Sequence, residues 1–348
     1  MDNISFNDKQ DSGKTFRPIQ VIIPLILGIG VAVWMFAGDF ENFEWSSIHF
    51  TGNAVLGLVL VVLSFIGRDF GLTWRFRAIT NKDLSWRQAL KVCMLCEFSS
   101  AITPTAVGGS SLAMIFMNRE GINFGRATTL MLITIFLDQL FFVIFAPLVV
   151  IFIPFGEIFG SVNMGFTIGI KWAFWIIYTL IALWTLVLFT GIIIKPIVIK
   201  KILVAVFKVW ILKRWAKKAE ELGDHMIEAS AQVKKMNIKW WIKAFSATVL
   251  SWFSRFFIVN ALFITFVYGA DQILIFAKQV VVWLMLMVTP TPGGSGISEW
   301  LFTEYYGDMV PVAASALVLA LMWRVVSYYI YLFIGAFIVP SWLRKFKK

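Results

Sequence analysis

Hydrophobic positions in this chain run in long unbroken blocks, without the polar stripe that a helix on a soluble surface would carry. Segments such as "PIQVIIPLILGIGVAVWMFAG" (18–38) and "TIGIKWAFWIIYTLIALWTLVLFTGIIIKP" (167–196) reach or exceed the ~20 apolar residues a helix needs to cross a bilayer. The pattern predicts full spans near 18–38, 51–67 with an extension to about 77, 127–153, 167–194, 241–267 and 309–338. Two further apolar regions, 84–118 and 271–303, are cut by proline and glycine. The expected fold class is an all-α polytopic membrane protein. It has about six full spans plus two re-entrant or broken helical hairpins in an inverted-topology repeat. The whole of 1–348 reads as one integral membrane domain: tail and first span (1–50), repeat 1 (51–154), a connecting span with a basic segment (155–238), inverted repeat 2 (239–340) and a basic tail (341–348).

Composition agrees with the pattern. The chain is 59% hydrophobic and 15% charged, against about 45–50% and 25% for soluble domains. The polar lead from Met1 to Arg17 is followed by no A-x-A cleavage signal, so the first span is expected to be an uncleaved anchor. The net charge of +11 collects in loops and flanks, which points to topology and away from nucleic acid. Segment 200–243 carries eleven Lys/Arg against four acids and is expected on the cytoplasmic side, whereas 39–50, 154–166, 268–272 and 303–308 contain no Lys or Arg. The same rule assigns Arg68, Arg75, Arg77, Lys82 and Arg87, then Arg119 and Arg126, to cytoplasmic loops, with both termini cytoplasmic. It requires an even number of crossings at each interrupted region. A re-entrant hairpin and two full crossings both satisfy that parity, and the short arms favour re-entry. Residues 200–229, with Trp210 and Trp215, are expected to form an amphipathic helix on the anionic membrane surface, the alternative being a solvated connector. Cys93 and Cys96 form a CxxC, but with only His49 and His225 elsewhere no metal site, disulfide framework or cofactor is expected.

"TPTPGGSGISEW" (289–300) has a weaker partner in "TPTAVGGSS" (103–111), at an offset of 289 − 103 = 186. Three crossings separate corresponding points, so the two copies are expected to lie upside down relative to each other. Proline stops the incoming helix and glycine permits tight turning. Each following helix then starts within the membrane and points its free amides, equivalent to roughly half a positive charge, at the break. The candidate translocation site is Thr103, Pro104, Thr105, Gly108 and Gly109 in the first copy, with Thr289, Pro290, Pro292, Gly293, Gly294 and Gly296 in the second. Ser110, Ser111, Ser295 and Ser298 complete the polar lining, and the bland alternative is a pair of kinks that lets helices pack closely.

Charges inside spans extend the site. Asp138 and Arg324 each lie 35 positions after the threonine that opens their repeat (138 − 103 and 324 − 289), and are expected to pair with each other or with substrate. Arg255, aligned with Arg68 when one residue of gap is allowed, is a further candidate, snorkelling being the alternative for Arg68. Glu299 is expected to take a proton, bind a head-group amine or cap a local amide. Glu97 has no acidic repeat partner and ranks below these.

"TPTPGGSGISE" resembles the P-x-P-G-G-x-G-x-x-E signature of the lysylphosphatidylglycerol synthase transmembrane-region family, a flippase-like membrane domain. The first copy, Asp138 and Arg324 match further landmarks of that family over about 51–340, while Ser110, Ala113 and Ile135 stand where it usually carries acidic or basic residues. The resemblance implies translocation of an anionic phospholipid or lipid-linked head group between leaflets of a bacterial plasma membrane. The last predicted span ends close to residue 348, so no aminoacyl-transferase activity is expected. Partners are the membrane and that lipid, without nucleic acid, and the oligomeric state is open. Alternatives are a secondary transporter of a soluble anion and an intramembrane lipid-modifying enzyme. The absence of H-E-x-x-H and G-x-S-x-G disfavours the enzyme, and that of a Walker loop disfavours direct use of ATP.

Overall fold

A computed structural model describes residues 50–103, 109–160, 164–207, 216–289, 291, 293–310 and 313–344. The predicted span 18–38 lies outside them, as do Trp210, Trp215, Pro104, Thr105, Gly108, Pro290 and Pro292. The helices are α1 (Ala54–Ile79), α2 (Trp86–Ile102), α3 (Gly109–Arg119), α4 (Phe124–Phe152), α5 (Phe155–Phe159), α6 (Met164–Phe189), α7 (Pro196–Phe207), α8 (Ala216–Lys234), α9 (Ile238–Phe266), α10 (Gln272–Leu286), α11 (Ile297–Tyr306), α12 (Ala313–Arg324) and α13 (Ile330–Arg344). A π-helical turn, Thr190–Ile194, extends α6, and a second, Val325–Tyr329, joins α12 to α13. No strand occurs among the described residues.

Five stretches are long and apolar enough to cross a bilayer: Ala54–Ile79, Phe124–Phe152, Thr167–Ile194, Ile238–Phe266 and Ala316–Val339. They correspond to five of the six spans predicted from hydropathy. The outward faces of α1 (Val55, Leu56, Val59, Val62, Leu63, Ile66) and α6 (Ile168, Trp172, Ile176, Leu180, Leu183) are exposed and apolar, as lipid contact demands. Helix starts follow capping chemistry. Ser85 and Gln88 form a capping box on α2, and Asn123, Asn237 and Asp271 cap α4, α9 and α10.

One order of elements occurs twice: a long helix, a short helix, a break, a short helix and a long helix, first as α1 to α4 and then as α9 to α13. The short arms have 17, 11, 15 and 10 residues, or roughly 25, 16, 22 and 15 Å at 1.5 Å per residue, all less than the ~30 Å hydrocarbon thickness. Each hairpin is closed at its mouth by an ion pair. Lys91 meets Glu120 across α2 and α3, and Lys278 meets Asp308 (3.0 Å) and the Tyr305 carbonyl (2.9 Å) across α10 and α11.

The two leading helices, α1 and α9, pack antiparallel along their whole length. Gly57 lies against Ala261 and Thr265, Gly67 against Ser254, and Gly71 against Ala247 and Ser251. Small residues on both sides bring the backbones close, the usual basis of helix association in lipid.

The extension of the second span to about 77 is borne out, while the placing of Arg68 and Arg75 in a loop and the single helix over 200–229 are corrected. Arg68 and Arg75 sit inside α1 and are buried, because the helix runs on to Ile79 and their guanidinium groups find partners within the bundle. The described residues of 200–229 belong to two helices and not to one surface helix. α7 and α8 fold back on each other through Lys200, which pairs with Asp224 and packs on Gly223. α8 buries Met226, Ala229 and Val233, and His225 packs on Gly125 of α4, so its apolar face is spent on protein and not on lipid.

A side chain at Gly71 would place its Cβ 2.8 Å from the Ser251 nitrogen and 2.9 Å from the Ala247 oxygen. Gly71→Val is therefore expected to destabilise the fold by about 1–3 kcal/mol. Thermal unfolding in detergent would show this as a lowered midpoint, and an unchanged midpoint would refute the close seam.

Candidate functional site

Both helix breaks follow from local sequence. α2 ends at Ile102, and Thr103 is extended (φ −115, ψ 152), the conformation forced on a residue that precedes proline. In the second break Gly293, Gly294 and Gly296 have φ of +57, +72 and +81, which side-chain-bearing residues rarely adopt. The breaks meet. The Gly293 amide donates to the Thr103 carbonyl at 3.4 Å, joining residues that belong to the two copies of the motif.

Arg324 stitches the second break together. Its Nε donates to Glu299 Oε1 (2.8 Å), Nη1 to the Gly293 carbonyl (3.0 Å) and Nη2 to Ser295 Oγ (3.2 Å). The guanidinium stacks 4.1 Å from the Tyr328 ring, which itself packs on Gly293. Glu299 Oε2 accepts from the Gly296 amide (2.8 Å) and from Ser298 Oγ (2.7 Å), so the local capping expected of it occurs together with an ion pair to Arg324. Thr289 closes the preceding turn through its hydroxyl, which donates to the Leu286 carbonyl at 2.8 Å. In the first break the Gly109 amide donates to Ser100 Oγ (2.8 Å), and a side chain at Gly109 would overlap the Cys96 carbonyl.

A second group lies where α1, α2 and α9 face one another. Glu97 of α2 accepts from Arg68 through Oε2 and from Arg255 through Oε1 (3.1 Å). Arg255 is flanked by the rings of Trp252 (4.9 Å) and Trp283 (4.8 Å). Arg68 stacks 4.3 Å from Tyr331, whose hydroxyl donates to Asp69 (2.6 Å). Arg68 is fully buried, whereas the Glu97 and Arg255 side chains keep 13% and 12% of their surface open. Asp138 accepts from Arg75 Nη1 (2.5 Å) and from Trp252 Nε1 (2.8 Å), which ties it to Arg255 through the shared indole.

The expected pairing of Asp138 with Arg324 does not form. Each finds an opposite charge within its own half of the chain, Asp138 on α1 and Arg324 on α11, before it could reach across the bundle. Thr103, Gly109, Thr289, Gly293, Gly294, Gly296, Glu299 and Arg324 gather at or beside the breaks, while Arg255 and Asp138 belong to the adjoining network. Glu97, ranked low, is central to that network. Its repeat position is 97 + 186 = 283, and Trp283 contacts the same Arg255, a signal visible only when unlike residues with a common affinity for guanidinium are compared. Cys93 and Cys96 are free and buried in α2.

The sequence model of the lysylphosphatidylglycerol synthase transmembrane region matches residues 21–335, a range that takes in both breaks and every charge above. The chain belongs to this family. It is similar to a UPF0104 membrane protein of Archaeoglobus fulgidus, 24% identical over an alignment of 338 residues that covers 94% of this chain and 98% of the relative. Family membership and the five apolar helices make it a multi-pass membrane protein.

Removing one partner of a buried pair leaves an uncompensated charge, at about 3–5 kcal/mol. A double-mutant cycle of Glu299→Gln and Arg324→Met is expected to show coupling above about 1 kcal/mol, whereas Asp138→Asn with Arg324→Met stays within about 0.5 kcal/mol. The reverse ranking in detergent unfolding would contradict these pairings.

Proposed function

We propose that this protein carries an anionic phospholipid, or a lipid-linked anionic head group, between the two leaflets. The observation that carries the reading is the meeting of the two breaks at Thr103 and Gly293 beside buried arginines. Irregular backbone at membrane depth persists where protein or a polar path satisfies it. Such a path serves a head group while the acyl chains remain in lipid.

The proposed arrangement has the two hairpins re-entering from opposite faces as halves of an inverted repeat, the basic segments and both termini being cytoplasmic. The antiparallel α1 and α9, and the hairpins whose arms are too short to cross, support it. Transport then proceeds by one half rocking against the other around a midplane site. No catalytic step is assigned to the protein.

Reconstitution into liposomes with fluorescently labelled phosphatidylglycerol is expected to give leaflet exchange above protein-free vesicles. Arg324→Ala, which frees the second break, is expected to slow it by at least about tenfold, the equivalent of 1.4 kcal/mol. No exchange of any anionic lipid would overturn the reading. In a background lacking Cys93 and Cys96, single cysteines at Asp83 and Tyr268, exposed in the loops that lead into the two hairpins, should react with impermeant reagent from opposite faces, and reaction of both from one face would refute the inverted arrangement.

A further inference from the structure

The Arg68, Glu97 and Arg255 cluster has an uneven composition. Two guanidinium groups converge on one carboxylate, and Arg68 Nε, Arg68 Nη1 and Arg255 Nε are buried with no acceptor among the described residues. A carboxylate has two oxygens with which to answer two planar forks, whereas a phosphate offers further oxygens in a geometry that guanidinium recognises bidentately. The forks are held from behind by Trp252, Trp283 and Tyr331, so their positions do not depend on Glu97 alone. Glu97 and Arg255 are the partly open members, which marks the side from which a ligand would arrive.

Position singles out the same cluster. Gly67 and Ser254 touch where the antiparallel helices α1 and α9 cross, and they are 254 − 67 = 187 residues apart, the repeat offset with the one-residue gap. Arg68 and Arg255 are the next residues on each helix (255 − 68 = 187), close to the middle of both. The pair therefore sits on the approximate two-fold axis, where a site must lie to be reached equally from either face.

Charge balance sets what binding entails. Arg68, Arg75, Arg255 and Arg324 are matched by Asp69, Glu97, Asp138 and Glu299, so an added anion would be unmatched. An unpaired charge at this depth costs several kcal/mol. The groups that face Glu97 are Arg68, Asp69 and Arg75 of α1, Arg255 of α9, Tyr331 of α13, Asp138 of α4 through Arg75 and Trp252, and Cys93 and Cys96 on α2 itself. Asp69 is held by the Tyr331 hydroxyl, Asp138 by Arg75 and the Trp252 indole, and Glu299 by Arg324 and the Gly296 amide, whereas the partners of Glu97 are the two arginines that would receive the ligand, which makes Glu97 the anion that a ligand displaces.

We propose that Arg68 and Arg255 are the receptor for the phosphate of the transported head group, that Glu97 is its resident stand-in, and that phosphate and one proton enter together. The phosphate monoanion replaces the carboxylate as counter-ion, the displaced carboxylate takes up the proton, and the net charge of the cluster is unchanged. This rests on the reading of the protein as a carrier of an anionic amphiphile.

The test is calorimetric titration of the detergent-purified protein with dihexanoyl phosphatidylglycerol and, separately, with inorganic phosphate. It is run near neutral pH in two buffers of different ionisation enthalpy. The lipid is expected to bind with uptake of about one proton, and its affinity to fall by up to about tenfold per pH unit on raising the pH. Glu97→Gln, which mimics the protonated carboxylate, is expected to bind as tightly or more tightly, without proton uptake and without pH dependence. Arg68→Lys and Arg255→Lys, checked for folding by size exclusion and thermal midpoint, are expected to weaken binding by at least about tenfold through loss of the fork. Tighter binding of the lipid than of inorganic phosphate assigns a lipid head group, and equal binding assigns the free anion. Absent binding, proton uptake retained in Glu97→Gln, or unaltered affinity in both well-folded lysine variants overturns the proposal. Leaflet exchange without the proton signature would sink this receptor and leave the carrier standing, whereas the signature without exchange would do the reverse.

Discussion

Four arginines and four carboxylates lie within a bundle whose outer surface is apolar, in a medium that offers no water to an abandoned charge. Each guanidinium has a carboxylate, and most have an aromatic ring as well. That requirement selects the packing around it. Arg324 is answered by Glu299 only if the second break folds tightly enough to place Gly293 and Ser295 on the same guanidinium, and that tightness requires three glycines at positive φ. Arg68 and Arg255 are answered by Glu97 only if α1 and α9 approach closely enough to bring both forks to one carboxylate, and the glycines of α1 permit that approach.

The same constraint explains why the breaks are joined at their tips and closed at their mouths. A helix that stops within a packed bundle frees carbonyls and amides, and contact between Thr103 and Gly293 removes one of each. At the other end of each hairpin a lysine pairs with an acid from the partner arm, so the two arms are tied before they meet the rest of the bundle.

Much of this was legible in the residues. Long apolar blocks located the spans, and the pair of Thr-Pro-Thr motifs 186 residues apart foretold that two breaks would be neighbours. The extension of α1 to about 77 was legible, but Arg68 and Arg75 within it read as belonging to a basic loop because hydropathy weighs a charge without seeing its partner. Asp138 and Arg324 were matched by symmetry when proximity decided the pairing, since a buried charge is satisfied by the nearest opposite group and not by its repeat equivalent. Glu97 escaped because its equivalent, Trp283, shares no charge with it, though both serve Arg255. The segment at 200–229 read as a surface helix because basic and apolar positions alternate there. Contact between His225 and Gly125 instead turns its apolar side toward α4.

The distribution of the charges between the halves bears on how the molecule comes together. Residues of the first half contribute Arg68 and Arg75 against Asp69, Glu97 and Asp138, two positive groups against three negative. Those of the second contribute Arg255 and Arg324 against Glu299, two against one. Neither half is neutral in the membrane alone, and each lacks one unit of the sign the other has in excess. Joining Arg255 to Glu97 cancels both. The first half by itself thus carries one acid more than its own arginines can match, and α9 of the second half supplies the missing cation.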